Sequence, residues 1–441
     1  MAEIRPFRGL RYQAGQVDDL ARVIAPPYDI ISPDEQRALY ARSPHNIVRL
    51  EYGEAHDDDS EQNNRYTRAA ATLAQWLASG VLAQDDSPAF YVYDQEFEHS
   101  GARYRRRALL TRVHLEEWAK GTIRPHEHTM AQPKEDRLRL LRACRANLSP
   151  VFALYRDPRG GISSALQDAI SGRSPLALAE EAKERHTLWP LSEQRVQRWL
   201  EQQFASATLY IADGHHRYET ALAYRNERRA AAASWTGHEA ENLVFAGLTA
   251  AEDPGLLILP IHRLVQLPQV DDSILERLRQ YLAVEEVTPA QSHGQAAPHR
   301  LLELVAERGR SASAFGLCWP GERLFLLTAE DPQGLVARLC PECPTQWRTL
   351  DVAVLELALL KTILGVNAKP IDEGGNIAIV SDAHEAWQEV QAGHYSTAFL
   401  LNPVPVEKVI AVADAGQRMP PKTTFFHPKL ATGLLINRLD D

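Results

Sequence analysis

Four cysteines in 441 residues are too few for a disulfide framework. Cys144 and Cys318 stand alone and read as packed thiols. Cys340-Pro-Glu-Cys343 is a lone C-x-x-C with no second pair at zinc-ribbon spacing, so it reads as a loop feature. No apolar run approaches the length needed to cross a bilayer. The opening stretch from Met1 to Gly9 lacks the apolar core of a signal peptide, and a cytoplasmic location is expected. Excess positive charge is missing too. Lys and Arg number 48 against 58 Asp and Glu, a net charge of −10 that argues against a general nucleic-acid binder. The densest basic run, Arg103-Tyr104-Arg105-Arg106-Arg107, reads as the wet face of a strand. There is no fixed-period repeat, no low-complexity tract and no Walker-type G-x-x-x-x-G-K-[ST].

What is present is an ordinary globular composition, 44% hydrophobic and 24% charged, at a length that predicts two or three domains. A soft division falls between 1–285 and 286–441, where the polar stretch 286–298 is the nearest thing to a linker. Ser32-Pro33-Asp34-Glu35 predicts a helix starting at Ser32, and apolar spacing predicts another over 60–79, closed by Gly80. Residues 89–98 and 103–114 flank a turn and predict a β-hairpin. A helix is expected from Leu138 to near Asn147, then strands at 151–155 and 187–189 and helices at 161–169 and 193–204. Further strands are expected at 242–249, 256–265, 312–319, 323–328, 377–380, 397–401 and 434–438. Helices are expected at 273–282, 299–308, 350–364, 383–391 and 406–415, with 350–364 apolar nearly all round and therefore buried. The fold class this predicts is α/β, of the mixed α+β kind.

One stretch organises the rest. Leu209-Tyr210-Ile211-Ala212 is an apolar run that ends in Asp213-Gly214, and His215-His216-Arg217 opens helix-forming sequence. Strand, glycine turn and helix start leave the first backbone N–H groups of the helix without partners inside it, a natural anion site. Gly214 has no Cβ to keep a phosphate from the backbone. Arg217, with a protonated His215 or His216, would add charge-assisted bonds. Asp213 supplies a carboxylate for a proton or a cation. Asp-Gly is also a common turn dipeptide, so the bland alternative is a solvated cap.

Other candidates gather around it. Ala25-Pro26-Pro27-Tyr28-Asp29 is a proline-stiffened loop. Pro125-His126-Glu127-His128-Thr129 places His126 and His128 on one face if extended, with Glu127 on the other. Lys134-Glu135-Asp136-Arg137 and the Pro-, Lys- and Thr-rich loop Met419-Pro420-Pro421-Lys422-Thr423 complete the set. The plain alternatives are a helix cap for Asp29, packing for Tyr28, a solvated helix start for Lys134 to Asp136, and surface charge for Lys422 and Lys429. Asn147 and His186 flank strands, and Trp189 reads as core.

These five ordered motifs resemble the bacterial and archaeal family of domain of unknown function 1015, over about Pro6 to Leu439. The turn Asp213-Gly214-His215-His216-Arg217 is also similar to the phosphate-binding turn of the ParB/sulfiredoxin-like superfamily, which includes an archaeal kinase of free serine. The resemblance implies a ParB/sulfiredoxin-like nucleotide-binding core with additional α/β segments. It implies phosphate and nucleotide binding by Gly214, His215, His216 and Arg217, with Lys422 and Arg137 neutralising charge. Asp213 maps onto the aspartate that looks catalytic in the serine kinases; no motif maps their separate glutamate, for which Glu127 is the candidate, and His216 is a third catalytic candidate. Tyr28, Asp29, His126, His128, Asn147 and Thr423 are the substrate-binding candidates. No helix-turn-helix module follows the turn, which argues against DNA partitioning. No cysteine lies in it, which excludes sulfiredoxin chemistry.

The expected activity is phosphoryl transfer to a small hydroxylated metabolite, free L-serine first, from ATP or ADP, with Mg²⁺ held in part by Asp213. The alternatives are a phosphatase on phosphoserine or a related monoester, a Zn²⁺ or Fe²⁺ site built from His126, Glu127, His128, His215, His216 and Asp213, and a ParB-like nucleotide-gated regulator. The expected partners are a small substrate and a nucleotide, with neither nucleic acid nor membrane; a second copy of the chain is a further candidate.

Overall fold

The computed structural model describes residues 2–181, 183–287, 297–366 and 374–439. The chain divides into two compact units, Met1–Leu257 with Pro428–Asp441, and Ile258–His427. The fold is mixed α/β. The soft division at 285/286 falls elsewhere than these limits, because Ala283–Glu286 pairs along its length with Arg323–Ala329 inside the second unit. Most of the polar stretch 286–298 lies outside the described residues.

The first unit is built on a nine-stranded mixed sheet. Ile123–Arg124 lies at one edge, then Leu209–Asp213, Val151–Tyr155, Leu243–Ala250, Ala102–His114, Phe90–His99, Glu184–Leu191 and Ala177–Glu180, with Ile4–Arg5 joining Ala102–His114. Leu209–Asp213 runs parallel to the edge strand and antiparallel to Val151–Tyr155, which in turn runs parallel to Leu243–Ala250. The predicted hairpin forms in register from Tyr91 opposite Leu110 to His99 opposite Ala102. Val151–Tyr155 is buried at every position, as expected of a strand covered on both faces. The helices Gly161–Ile170 and Gln194–Phe204 put Ile162, Leu166, Leu200 and Phe204 into the same core as Ile211 and Leu248.

The second unit holds a six-stranded, wholly antiparallel sheet in the order Ala283–Glu286, Arg323–Ala329, Ser313–Trp319, Thr397–Leu400, His262–Val265, Ile377–Val380. Ala297–Arg308 and Ala383–Gln391 pack Leu301, Val305, Ala386 and Val390 against it.

Three local expectations change. The single strand expected at 256–265 is two, Leu257–Leu259 and His262–Val265, because Pro260 has no N–H to offer a ladder. The buried helix at 350–364 is α-helical only over Asp351–Ala353 and continues over Val354–Ile363 as π-helix. The strand expected at 434–438 shrinks to Asn437–Arg438. The arginine run at 103–107 is not uniformly wet either. Strand alternation turns Arg106 inward, where it is 1% exposed, donates to Gln95 Oε1 at 2.5 Å and lies over the Phe152 ring.

Each unit holds a buried histidine whose pKa is lowered from the ordinary 6.5 to about 4: His186, by burial and then Arg106, and His262, by burial and then Arg263. Between those pH values the unfolded chain binds the proton that the folded one refuses. Stability is therefore complete above pH 6.5 and falls as the pH drops toward 4, by about 3 kcal/mol for each histidine. His186→Gln keeps a hydrogen-bonding group for Tyr93 and removes the titration. Its thermal unfolding temperature should fall less than the wild type's between pH 7 and pH 5, and an identical slope would remove His186 from the account.

Candidate phosphate site

The strand Leu209–Asp213 ends on Asp213, Gly214 turns at φ 86°, and a 17-residue helix runs from His215 to Ala231. The first helical bond is from Tyr218 N–H to the Gly214 carbonyl, and the glycine N-cap has no side chain to take the N–H groups ahead of it. A Cβ on Gly214 would stand 2.9 Å from Arg217 Nε, so backbone conformation and space both require glycine. Gly214→Ala should cost roughly 1–3 kcal/mol and push the guanidinium out of place; a chemical-denaturation midpoint equal to wild type would contradict this.

Asp213 does not face solvent alone. Its Oδ2 accepts from Arg217 Nη2 at 2.6 Å, and its Oδ1 pairs with Lys429 Nζ. The three side chains are only 9–11% exposed. Arg217 Nη1 donates to the Pro150 carbonyl at 2.5 Å, while its Nε is buried with no hydrogen-bond partner among the described residues. Lys429 arrives on a segment held from beneath: Arg106 donates to the Pro428 carbonyl at 2.5 Å and Gln95 to the Lys429 carbonyl at 3.0 Å. Lys429 is thus a buried ion-pair partner and not the surface charge its sequence context suggests.

A second cluster of opposite charges lies alongside. Arg137 Nη1 donates to the Glu51 carbonyl at 2.8 Å and stands 3.5 Å from Glu51 Oε1, which also accepts from Ser149 Oγ at 2.8 Å. The other edge of Arg137 holds Asp136, and its guanidinium lies 3.9 Å above the Tyr28 ring. Burial raises the Glu51 carboxyl, with Arg137 and Arg217 pulling it back. Burial disfavours the Arg217 charge, yet Asp213, Asp29 and Glu51 together hold it above its ordinary value. A cavity of about 40 Å³, room for a water molecule, is lined by Glu51, Arg137, Asn147, Ser149, Arg217 and Thr220.

The loop before the helix Ala131–Cys144 closes over the turn. His126 is buried; its Nδ1 donates to the Ile211 carbonyl at 2.7 Å and its backbone N–H to His215 Nε2 at 3.3 Å. Glu127 Oε2 is 4.0 Å from His215 Nδ1. Met130 N–H donates to His216 Nε2 at 2.9 Å. Burial lowers the His216 pKa against the pull of Glu127 and Asp29, so the ring is neutral around pH 7. Glu219, one turn further along the helix, ties the loop down by accepting from Trp118 Nε1, Thr129 Oγ1 and Lys134 Nζ at 3.1, 2.5 and 3.1 Å.

Tyr28, Asp29, Glu127, His128, Arg137, Asn147 and residues 213–217 all fold within the first unit. Asp29 and His128 are exposed. Asn147 is engaged in holding strands, its Oδ1 accepting from Phe245 N–H and Asn437 Nδ2. Lys422 and Thr423 fold with the second unit, where the Lys422 carbonyl accepts from Arg263 and the Thr423 hydroxyl donates to the Pro420 carbonyl. The helix expected from Leu138 begins at Ala131 instead, and this puts Lys134 and Arg137 on its first turns, within reach of Glu219 and Glu51. Glu51, Ser149 and Glu219 carry no signal in the sequence for these roles, and Lys429 reads there as a surface charge. Glu51 lies in a short helix with no motif around it, and Lys429 is 216 residues from its partner. Among the described residues no group of three or more His, Cys, Asp or Glu side chains is arranged to hold a metal ion. His126 Nδ1, His215 Nε2 and His216 Nε2 each already face a backbone partner.

Residues 4–353 match the profile of a family described as a protein of unknown function, DUF1015. The chain belongs to this family. No curated protein matches it. Among solved structures, the chain is similar to a free serine kinase variant in complex with ADP, at 14% identity over 74% of this chain and 92% of that one, with a TM-score of 0.34. A conserved hypothetical protein from Pyrococcus furiosus aligns at 14% identity over 74% and 95%, with a TM-score of 0.32. SbnI with a C-terminal truncation, from Staphylococcus aureus, aligns at 11% identity over 75% and 90%, with the same score. Likeness at these scores decides neither reaction nor ligand. No helix among the described residues is long and apolar enough to cross a membrane.

Proposed function

We propose that this member of the family transfers a phosphoryl group between a nucleotide, ATP or ADP, and a small hydroxylated metabolite, with free L-serine the first substrate to test. The observation that carries the reading is the Asp213 carboxylate, clamped by Arg217 and Lys429 at the start of a long helix whose N-cap is a glycine. Phosphoryl transfer needs fixed cations around the phosphate and a carboxylate to orient the attacking hydroxyl. When a phosphate enters, Arg217 and Lys429 are the cations within reach of the helix start, and Asp213, released from them, accepts the hydroxyl proton. His216, neutral and held through Nε2, and Glu127 beside His215 are the other groups able to hold a proton at the turn.

Mg²⁺ would enter with the nucleotide and offset charge on its phosphates. Both Asp213 oxygens face cations, so the ion would be held mainly by phosphate oxygens, with Asp213, Asp29 or Glu127 contributing one ligand. A phosphatase acting on phosphoserine would use the same cradle with water in place of the acceptor.

Phosphorus NMR separates the two. With Mg²⁺, serine and ATP or ADP, a phosphoserine resonance that grows only when nucleotide is present is the expected result. Inorganic phosphate released from phosphoserine alone would replace the kinase by the phosphatase. Silence in both tubes would overturn the proposal for this substrate.

A further inference from the structure

The first unit contains a second and larger cavity, of about 490 Å³, at the other end of the central strands from Asp213. Asp213 sits opposite Phe152, near the start of Val151–Tyr155. The cavity lies beyond Tyr155 and Ala250, where the parallel strands Val151–Tyr155 and Leu243–Ala250 both finish, about 10 Å further along. The carboxyl ends of adjacent parallel strands are where open α/β sheets bind ligands. A volume of this size suits a small molecule, whereas the 40 Å³ cavity beside Arg217 suits a water.

Its walls are cross-linked. Asp157 accepts from both the backbone N–H and the hydroxyl of Ser163, fixing the start of the helix Gly161–Ile170, and donates its own N–H to Glu252 Oε2 at 2.8 Å. Asp253 accepts from Arg107 N–H and Gly255 N–H. Gly255 lies so close to the hairpin strand that a Cβ there would stand 2.2 Å from the Arg105 carbonyl, so the segment after Asp253 packs backbone to backbone. Arg107 is spoken for by a two-pronged pair with Asp94, at 2.6 Å on each side. Arg105, whose Nη1 stands 3.5 Å from Gln167 Oε1 and 4.0 Å from Asp94 Oδ2, and Arg159 line the cavity as exposed cations, and Glu252 as an exposed anion. Asp253, which burial holds above the ordinary carboxylate range, adds a second acceptor on the acidic side.

We infer that this cavity is a binding site for a small amino-acid zwitterion carrying a second anionic group, its acids held by Arg105 and Arg159 and its ammonium by Glu252 and Asp253. An anion alone would face Glu252 and Asp253, and a cation alone would face the arginines. A ligand with both signs meets an opposite charge for each of its own groups. A second carboxylate and a phosphonate are equivalent for the two guanidiniums, so both are tested.

Isothermal titration calorimetry on the full chain would use L-glutamate, its ω-phosphonate analogue, glutarate and diaminobutane. Saturable binding of glutamate, of the phosphonate or of both is expected, with glutarate at least tenfold weaker and diaminobutane silent. Arg105→Gln and Glu252→Gln, both at exposed side chains, should each weaken binding at least tenfold and leave the unfolding temperature unchanged. No saturable heat from either amino acid, glutarate binding as tightly as glutamate, or affinity indifferent to both substitutions would each overturn the site. Binding here is read without turnover, so the result stands apart from the fate of the Asp213 chemistry.

Discussion

Asp213→Asn lowers stability by about 3–5 kcal/mol, the cost of leaving buried charges without their partner. The sequence presents Asp213 as a carboxylate at a turn, there for a proton or a cation. In the structure it neutralises two cations, Arg217 and Lys429, that are each about nine-tenths buried. The amide keeps the shape and removes the charge, so both guanidinium and ammonium lose their counter-ion. Turnover should fall by a factor of about 10²–10⁴, the usual range for losing a positioned acid or base. A consequence separates this cluster from an ordinary structural ion pair. Inorganic phosphate at millimolar concentration should stabilise Asp213→Asn more than wild type, because an anion replaces the missing carboxylate between Arg217 and Lys429. Lys429→Met combined with Asp213→Asn should recover part of the lost stability, since one orphaned charge is gone. A urea midpoint for Asp213→Asn equal to wild type, or one that phosphate does not move, would remove Asp213 from the clamp.

Arg137→Met has a comparable effect and a pH dependence of opposite sense to that of the histidines. The guanidinium holds Glu51 on one side and Asp136 on the other and lies over the Tyr28 ring. Removing it leaves Glu51, 2% exposed, without its guanidinium and still bonded to Ser149. The loss should be about 3–5 kcal/mol near pH 7. Burial already raises the Glu51 carboxyl, and losing Arg137 raises it further. A carboxyl whose folded pKa lies above its unfolded value binds more protons when folded, so its penalty shrinks as the pH falls through the folded pKa. The gap between Arg137→Met and wild type should therefore narrow between pH 8 and pH 5. Glu51→Gln in the Arg137→Met background should close most of it at pH 8. A gap that stays constant with pH would show that the loss comes from packing over Tyr28 and not from the charge.

The local chemistry of the chain was open to reading because it is carried by neighbours in sequence. Ser32 caps its helix by accepting from Glu35 N–H as the capping pattern predicts. The Asp213-Gly214 turn forms where an apolar run meets Asp-Gly, since no other residue type takes its φ of 86° so easily. The hairpin at 90–114 follows from alternation and a central turn. The misread places are those where something distant overrides a local pattern. The helix Ala131–Cys144 starts a full two turns before its apolar face shows, because its polar first turns find partners in Glu51, on another helix, and in Glu219. The π-helical stretch Val354–Ile363 has the apolar content of an α-helix, and nothing in its spacing announces the wider turn.

The sequence by itself determined the mixed α/β class, the family and the strand–turn–helix that presents Asp213 and Arg217, since each is carried by short motifs and periodicities whose residues are neighbours in the chain. Tertiary structure alone decided which charges neutralise Asp213, that Glu51 and Ser149 stand behind Arg137, and that Lys422 folds in a different unit from Lys429 only seven residues on. The physical reason is range. Backbone propensity and capping act between near neighbours, whereas a buried ion pair is selected by the requirement that no charge be left alone in the interior, wherever in the chain its partner lies.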